Sequence, residues 1–151
     1  MPAAVSPKVF DFLRLLSENN NREWFTENKN LYTESQGNLV LFLEDLIKEM
    51  SEFDSELGKI DAKKSLFRIY RDTRFSKDKT PYKTNIGASL VEKGPKTLNH
   101  AGYYVHLEPS KSFLAGGVYM TEPKNLKAIR EKISSEGENF LKILNKKYAF
   151  R

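Results

Sequence analysis

The sequence predicts an α+β protein, with N-terminal helices, a small and mostly antiparallel sheet in the middle, and C-terminal helices packed on that sheet. Apolar residues recur at helical spacing through the first third of the chain, short apolar or alternating runs occupy the middle, and a capped amphipathic segment follows near the end. A chain of 151 residues can bury one sizeable core, so we expect residues 1–151 to form a single domain.

Two helices are expected in the first third of the chain. Ser6 can cap the first helix and Pro7 suits its first position, and the apolar stripe that follows consists of Val9, Phe10, Leu13 and Leu16. Three asparagines at positions 19–21 should end this helix and cap the next. The second helix is expected from about Arg22. A kink or break is expected near Gly37, because glycine in a helix interior costs roughly 1 kcal/mol relative to alanine.

The middle of the chain is predicted to be a connector followed by strands. Residues 51–64 are mostly polar and should connect the helices to the sheet. The segments predicted to be extended are 67–70, 86–91, 102–108 and 113–120, the last two forming an antiparallel hairpin. Alternation in the third segment separates two faces, with Tyr103, Val105 and Leu107 on one and Tyr104, His106 and Glu108 on the other.

The final part of the chain is predicted to be helical. Thr121 should cap a helix that has Pro123 in its first turn, and a last helix is expected from about Ser135. The first of these helices should have a buried face formed by Leu126, Ile129 and Ile133, and the second carries Phe140, Leu141 and Leu144.

Composition excludes several classes of site. The chain contains no cysteine, which excludes disulfides, thiolate catalysis and cysteine-ligated zinc. Its two histidines, His100 and His106, form no HExxH motif, and no carboxylates cluster at ligand spacing, so we expect no metal site and no cofactor. No apolar run is long enough to cross a bilayer, and the N-terminus lacks the pattern of a signal peptide. We therefore expect a cytoplasmic protein without a membrane partner.

Positive charge is concentrated in one segment, residues 63–84. The segment KKSLFRIYRDTRFSKDKTPYKT contains eight Lys or Arg residues and two Asp residues, whereas residues 1–62 contain six basic and twelve acidic residues. Aromatic and β-branched residues alternate with the charges and should anchor part of the segment by burial. Basic groups held beside a folded framework are typical of a site for phosphate or another anion.

We predict that this segment forms a basic cleft for a phosphate-bearing small molecule or a nucleic acid. Arginine forms forked hydrogen bonds with phosphate, and lysine adds a point charge. The predicted ligand-binding residues are Arg68, Tyr70, Arg71, Arg74, Lys77, Lys83 and Tyr104. The alternative is that Asp72 and Asp78 pair with neighbouring cations and that the remaining lysines are ordinary solvated charges.

His106 is the candidate catalytic residue. It shares a strand face with Tyr104 and Glu108, and an imidazole near a carboxylate and several arginines can act as a general acid or base. Half-exposed strand faces also carry such residues without any catalytic role. Besides simple binding, two hypotheses therefore stay open: a metal-independent enzyme acting on a phosphorylated substrate, and a structural role in which the arginines tie their loop to the acidic N-terminal helices.

Four stretches of the sequence resemble a known family. They are NNNREWF at 19–25, FRIYRDTRFSKDKTPYKT at 67–84, AGYYVHLEP at 101–109 and AGGVYMTEP at 115–123. Together they resemble domain-of-unknown-function family 2461, which is widespread in bacteria and fungi, and the resemblance covers residues 10–144. It implies a compact α+β domain and supplies no established activity or catalytic residues. Relatives usually continue further at their C-termini, so one expectation is that this chain lacks an extension found in them.

Overall fold

The structure, a computed structural model, describes residues 4–92, 94 and 100–145. Helices at both ends of the chain and a three-stranded antiparallel sheet between them confirm the α+β class. The chain divides into two compact units: a core unit (Met1–Thr97 and Ala101–Gly117) and a terminal unit (Leu98–His100 and Val118–Arg151). No helix in the described part of the chain combines the length and the apolar character needed to cross a membrane.

The core unit begins with helix α1, Pro7–Glu18. The Ser6 hydroxyl accepts a hydrogen bond from the Lys8 amide at 3.4 Å, and proline occupies the start of the helix, which confirms the predicted N-terminus. The buried face of α1 consists of Val9, Phe12, Leu13 and Leu16. Phe12 is buried in place of the predicted Phe10, because positions 9, 12, 13 and 16 follow the spacing of one helix face.

The predicted second helix is two helices, α2 (Arg22–Glu27) and α3 (Lys29–Met50). The expectation of a break near Gly37 is wrong, because α3 continues through this residue and the interruption lies at Asn28. The side-chain amide and the backbone N–H of Asn28 both donate to the Trp24 carbonyl at 2.9 Å, which ends α2. The cost of glycine in α3 is offset by the burial of one face, formed by Ser35, Leu39, Leu43 and Ile47.

The polar connector contains two short helical turns, a 3₁₀ helix at Ser55–Lys59 and α4 at Ala62–Ser65. A carboxylate oxygen of Asp61 accepts a hydrogen bond from the Lys64 amide at 3.1 Å and caps α4. Leu57 and Ala62 are buried. The connector therefore contributes to the core, which its polar composition does not indicate.

The sheet consists of β1 (Ile86–Leu90), β2 (Ala101–Leu107) and β3 (Phe113–Val118), in the order β1-β2-β3. β1 and β2 are antiparallel, and their register pairs Gly87 with His106. Val105 of β2 is buried with residues of α3, and Tyr103 packs against the same cluster. Tyr104 and His106 lie on the opposite face of the strand, as the alternation predicts.

The terminal unit contains α5 (Pro123–Ser135) and α6 (Gly137–Leu144). α5 begins after Glu122, one residue later than the predicted cap at Thr121, and Pro123 takes its first position. The expectation of a buried face on α5 is wrong, since none of the described residues of α5 or α6 is buried. Amphipathic spacing determines which residues share a helix face, but it does not determine whether anything covers that face.

Candidate functional site

The predicted strand at 67–70 is replaced by two isolated bridges. Leu66 pairs with Ala88 of β1, and Tyr70 pairs with Tyr82. Between these two points the chain changes its pairing partner from β1 to the residues that follow the loop. No ladder of consecutive pairs forms here, although the residue types favour a strand.

The basic loop, residues 71–81, is closed by main-chain hydrogen bonds at its base. The Arg71 N–H donates to the Pro81 carbonyl at 2.9 Å, and the Lys83 N–H donates to the Ile69 carbonyl at 2.8 Å. Ile69 is buried in the hydrophobic core. The loop therefore starts and ends on a fixed part of the core unit.

Asn20 holds the other side of this base. Its side-chain amide donates to the Tyr82 carbonyl at 3.0 Å and its Oδ1 accepts from the Tyr82 N–H at 3.1 Å, so the side chain substitutes for a neighbouring strand. Tyr82 is buried and stacks on Phe25, with ring centroids 4.0 Å apart. The asparagine run predicts the helix boundary, where Asn21 caps α2. Nothing local in the sequence indicates a contact between positions 20 and 82.

Arg71 is paired within the loop. Its guanidinium contacts the Asp78 carboxylate and the Thr80 hydroxyl, and its side chain is 26% exposed. The Thr80 N–H donates to Asp78 at 2.9 Å. This backbone hydrogen bond and the one from Arg71 lower the pKa of Asp78 to about 2. Arg71 thus fastens one part of the basic loop to another.

Arg74 forms a forked ion pair with Asp72. Its Nε donates to Oδ1 at 2.9 Å and its Nη2 donates to Oδ2 at 2.7 Å. The side-chain hydrogen bond from Arg74 is the main cause that lowers the pKa of Asp72 to about 2. The guanidinium also lies 5.7 Å from the centroid of the Phe75 ring. Two of the predicted ligand-binding arginines are therefore paired with aspartates of their own loop.

Lys83 and Arg68 lie together at the base of the loop and are called the Arg68–Lys83 pair below. The Lys83 ammonium donates to the Arg68 carbonyl at 3.0 Å and lies 5.8 Å from the centroid of the Phe67 ring. Partial burial, and then the positive charge of Arg68, lower the pKa of Lys83. Within the described residues, neither side chain forms an ion pair with a carboxylate.

The other two predicted ligand-binding residues of the segment differ from each other. Lys77 is exposed and forms no ion pair with any residue that the structure describes. Tyr70 is half-exposed, and its ring packs against Phe25 and Tyr82, with centroids 6.1 Å and 5.3 Å away. Tyr70 therefore covers the aromatic part of the core.

Two small cavities of the core unit contain no basic side chain. Both are lined by Leu39 of α3, Ile86 of β1 and Leu66, and their other lining residues are mostly apolar. Neither cavity is the basic cleft that the sequence predicts.

A hydrogen-bonded chain runs along the outer face of β2. His106 Nδ1 is 3.1 Å from the Tyr104 hydroxyl, and Nε2 is 3.0 Å from Oε2 of Glu108. With its proton on Nε2, the imidazole donates to Glu108 and accepts from Tyr104. Phe113 of β3 stacks on the ring at 4.7 Å, and the His106 side chain is only 14% exposed. The described residues contain no group of three or more His, Asp or Glu suited to a metal ion.

Gly87 makes room for this chain. A Cβ at position 87 would lie 2.5 Å from the Tyr104 hydroxyl oxygen and 3.0 Å from Cε2 of the same ring. The Gly87 carbonyl accepts from the Phe67 N–H at 2.9 Å, and the Phe67 and Tyr104 rings are 6.2 Å apart. Phe67 is thus a neighbour both of Lys83 and of Tyr104, which belongs to the His106 chain. A glycine inside an apolar strand is the sequence signal for such a close approach.

Two of the motifs that resemble a known family contain the residues of both features. Residues 67–84 include the basic loop, and residues 101–109 include the hydrogen-bonded chain of Tyr104, His106 and Glu108 on β2. A family model described as conserved hypothetical protein (DUF2461) matches residues 8–151. No curated protein and no solved structure matches the chain. The match to the family model covers nearly the whole sequence, including the loop cations, Gly87 and His106. The chain therefore belongs to the DUF2461 family.

Proposed function

We propose that the Arg68–Lys83 pair binds an anionic, phosphate-bearing ligand. The observation that carries this proposal is the environment of the Lys83 ammonium, which lies over Phe67, donates to the Arg68 carbonyl, and has its pKa lowered by partial burial and then by the positive charge of Arg68. Two like charges held close together destabilise each other, and an anion bound to both removes this repulsion. Phosphate suits the pair because arginine offers a fork of donors and lysine a point charge.

The two loop arginines have a different role in this proposal. A phosphate bound to Arg71 or Arg74 would have to displace Asp78 or Asp72 from an existing ion pair. We therefore assign them to the structure of the loop. The exposed Lys77 adds long-range attraction for an anion without a fixed contact.

Titration with inorganic phosphate and pyrophosphate tests the proposal. We expect calorimetry to show that wild type binds pyrophosphate and that Arg68→Ala/Lys83→Ala binds it at least about tenfold more weakly, because each charge-assisted hydrogen bond contributes roughly 1.5–3 kcal/mol. Lys29→Ala/Lys48→Ala is the matched control, since it removes the same charge from exposed positions of α3. Equal losses in both double variants, or no loss in either, would contradict the proposal.

A second candidate function is a metal-independent reaction on a phosphorylated substrate. The observation that favours it is the hydrogen-bonded chain of Glu108, His106 and Tyr104, which adjoins Phe67. Glu108 would orient the imidazole, and the proton would move between His106 Nδ1 and the Tyr104 hydroxyl. Both ring nitrogens of His106 are engaged, so Tyr104 is the member of the chain that would contact substrate.

A screen of phosphomonoesters and phosphodiesters in the presence of a chelator tests this second function. We expect turnover that persists with chelator and falls about 100-fold or more in His106→Ala and in Tyr104→Phe. The Arg68→Ala/Lys83→Ala variant should raise KM for the same substrate. Absence of turnover across the panel would leave binding as the function. An unchanged rate in His106→Ala would contradict the role proposed for the imidazole.

A further inference from the structure

Phe75 is the most exposed large apolar side chain in the described part of the chain, at 94%. It lies near the middle of the basic loop. Single exposed apolar residues are common on protein surfaces, so exposure alone indicates nothing. What distinguishes this ring is that its loop is cross-linked and that the Arg74 guanidinium lies over it.

The basic loop is cross-linked on both sides of Phe75. The Arg71 guanidinium contacts Asp78, and the Lys79 ammonium donates to the Thr73 carbonyl at 2.8 Å. These bonds join the residues before the ring to the residues after it. The segment of the loop that carries the ring is therefore cross-linked, which lowers the cost of ordering this segment when a partner binds.

The cations near the ring extend from the loop to its base. The Arg74 guanidinium lies over the ring and is held there by Asp72. Arg68 is close enough to Asp72 to contribute to its lowered pKa. The ion pair beside the ring is thus within the electrostatic influence of Arg68, and the exposed Lys77 lies two positions after Phe75 in the loop. An aromatic surface and several cations are thus neighbours in one segment.

One aromatic ring among cations fits a single-stranded nucleic acid better than an anionic membrane. Stacking of one base on an aromatic side chain is worth about 1–3 kcal/mol, so a single ring is enough. Membrane insertion scales with the apolar area that is buried, and one ring between charged residues offers little. The excess positive charge of the segment also suits a polymer of phosphates.

We propose that Phe75 is a base-stacking residue and that the basic loop binds single-stranded nucleic acid. This inference rests on the proposed function, because it requires that a phosphate of the strand binds to the Arg68–Lys83 pair. Lys77 attracts a further phosphate. One base stacks on the Phe75 face that Arg74 leaves open.

Two labelled strands of about ten nucleotides test the inference, an oligothymidylate and an abasic strand with the same phosphates. At one fixed salt concentration, we expect wild type to bind the thymine-bearing strand about 5- to 150-fold more tightly than the abasic strand. Phe75→Ala should abolish this preference and Phe75→Trp should keep it. Phe53→Ala, which removes another exposed phenylalanine of the core unit, is the matched control and should also keep it.

The possible outcomes separate this inference from the function on which it rests. Equal affinity of wild type for the two strands would overturn base stacking and leave phosphate binding intact. If the wild type binds neither of the two strands and also does not bind pyrophosphate, base stacking and phosphate binding are both overturned. Binding to phosphatidylserine vesicles that depends on Phe75, without binding to either strand, would overturn nucleic acid as the partner in favour of a membrane.

Discussion

The Lys83 ammonium donates a 3.0 Å hydrogen bond to the carbonyl oxygen of Arg68, 15 residues earlier in the chain. Between these residues, Arg71 and Arg74 are each paired with an aspartate. Arg71 and Arg74 thus fasten the basic loop, whereas Arg68 and Lys83 form no ion pair with a carboxylate of the described residues. The charge of the segment does not distinguish the two groups.

Anion binding should weaken at alkaline pH because Lys83 loses its proton early. Burial and the charge of Arg68 lower the pKa of Lys83 from the ordinary value of 10.5. The ammonium, and its attraction for pyrophosphate, is lost as the pH rises through this lowered value. Lys83→Arg should bind over a wider alkaline range, because a guanidinium keeps its charge. Calorimetry at increasing pH checks this, and identical profiles for the two proteins would contradict it.

The folding of the basic loop should be sensitive to acid. Hydrogen bonds lower the pKa values of Asp72 and Asp78 from 3.8 to about 2, so the unfolded chain binds more protons between these values. Their contribution to stability is complete above about pH 4 and is lost as the pH falls towards about 2. Both carboxylates are exposed, so the effect should be small and should decrease with salt.

Thermal melts between about pH 4.5 and 2 measure this contribution. The decrease of Tm with acid should be shallower in Asp78→Asn than in wild type. Asp11→Asn, which alters an exposed ion pair of α1, is the control. A decrease as steep in Asp78→Asn as in wild type would show that this carboxylate does not titrate abnormally.

Gly87→Ala should destabilise the core unit. Its Cβ would lie 2.5 Å from the Tyr104 hydroxyl oxygen, so the ring and its hydrogen bond to His106 must shift. We expect a loss of about 1–3 kcal/mol in the free energy of unfolding, measured in urea. Gly87→Ala/Tyr104→Phe should recover part of the loss by removing the closest atom. Stability equal to wild type in Gly87→Ala would mean that the ring is not packed over this residue.

Gly37→Ala should have the opposite effect and serves as a comparison for Gly87→Ala. Gly37 lies inside α3, and an added Cβ would meet no atom within 4 Å. Alanine lowers the entropy of the unfolded chain and favours the helix, so we expect a gain of about 0.5–1 kcal/mol. Urea unfolding measures it, and a loss of stability would indicate that this side of α3 is covered.

Arg71→Ala/Arg74→Ala should loosen the basic loop without removing the anion site. We expect Tm to fall by about 2–6 °C and limited trypsin cleavage after Lys77 to become faster. Affinity for pyrophosphate should stay within about twofold of wild type, because a twofold change is small beside the loss of a charge-assisted hydrogen bond. An unchanged Tm together with lost pyrophosphate binding would instead make these two arginines the ligand contacts.

Local patterns predicted the elements that depend on a few neighbouring residues. The start of α1 follows from a capping serine and a proline, and the two faces of β2 follow from strict alternation. The break at Asn28 was not predicted, because a side-chain bond to Trp24 outweighed the helix pattern there. Local patterns also failed to distinguish Phe12 from Phe10. Apolar residues of α1 lie on either side of the face that is buried, and the prediction selected Phe10 although Phe12 is the buried residue.

The candidate site could be predicted only in part. The residue types of the basic segment indicated an anion site and included both members of the Arg68–Lys83 pair. The alternative that Asp72 and Asp78 pair with neighbouring cations is confirmed, but the sequence did not indicate that Arg71 and Arg74 are the partners, because two aspartates among eight cations allow many pairings. The roles of Gly87 and Asn20 depend on residues far away in the chain.

The sequence by itself determined the α+β class, the family and the concentration of positive charge in residues 63–84, because these are properties of composition, spacing and local motifs. Only the tertiary structure decided which cations have carboxylate partners and which ring stands exposed among them. Those outcomes depend on contacts such as Asn20 with Tyr82, 62 residues apart, and Lys83 with Arg68. Contacts of that range form only when the whole core packs, so no local pattern can encode them.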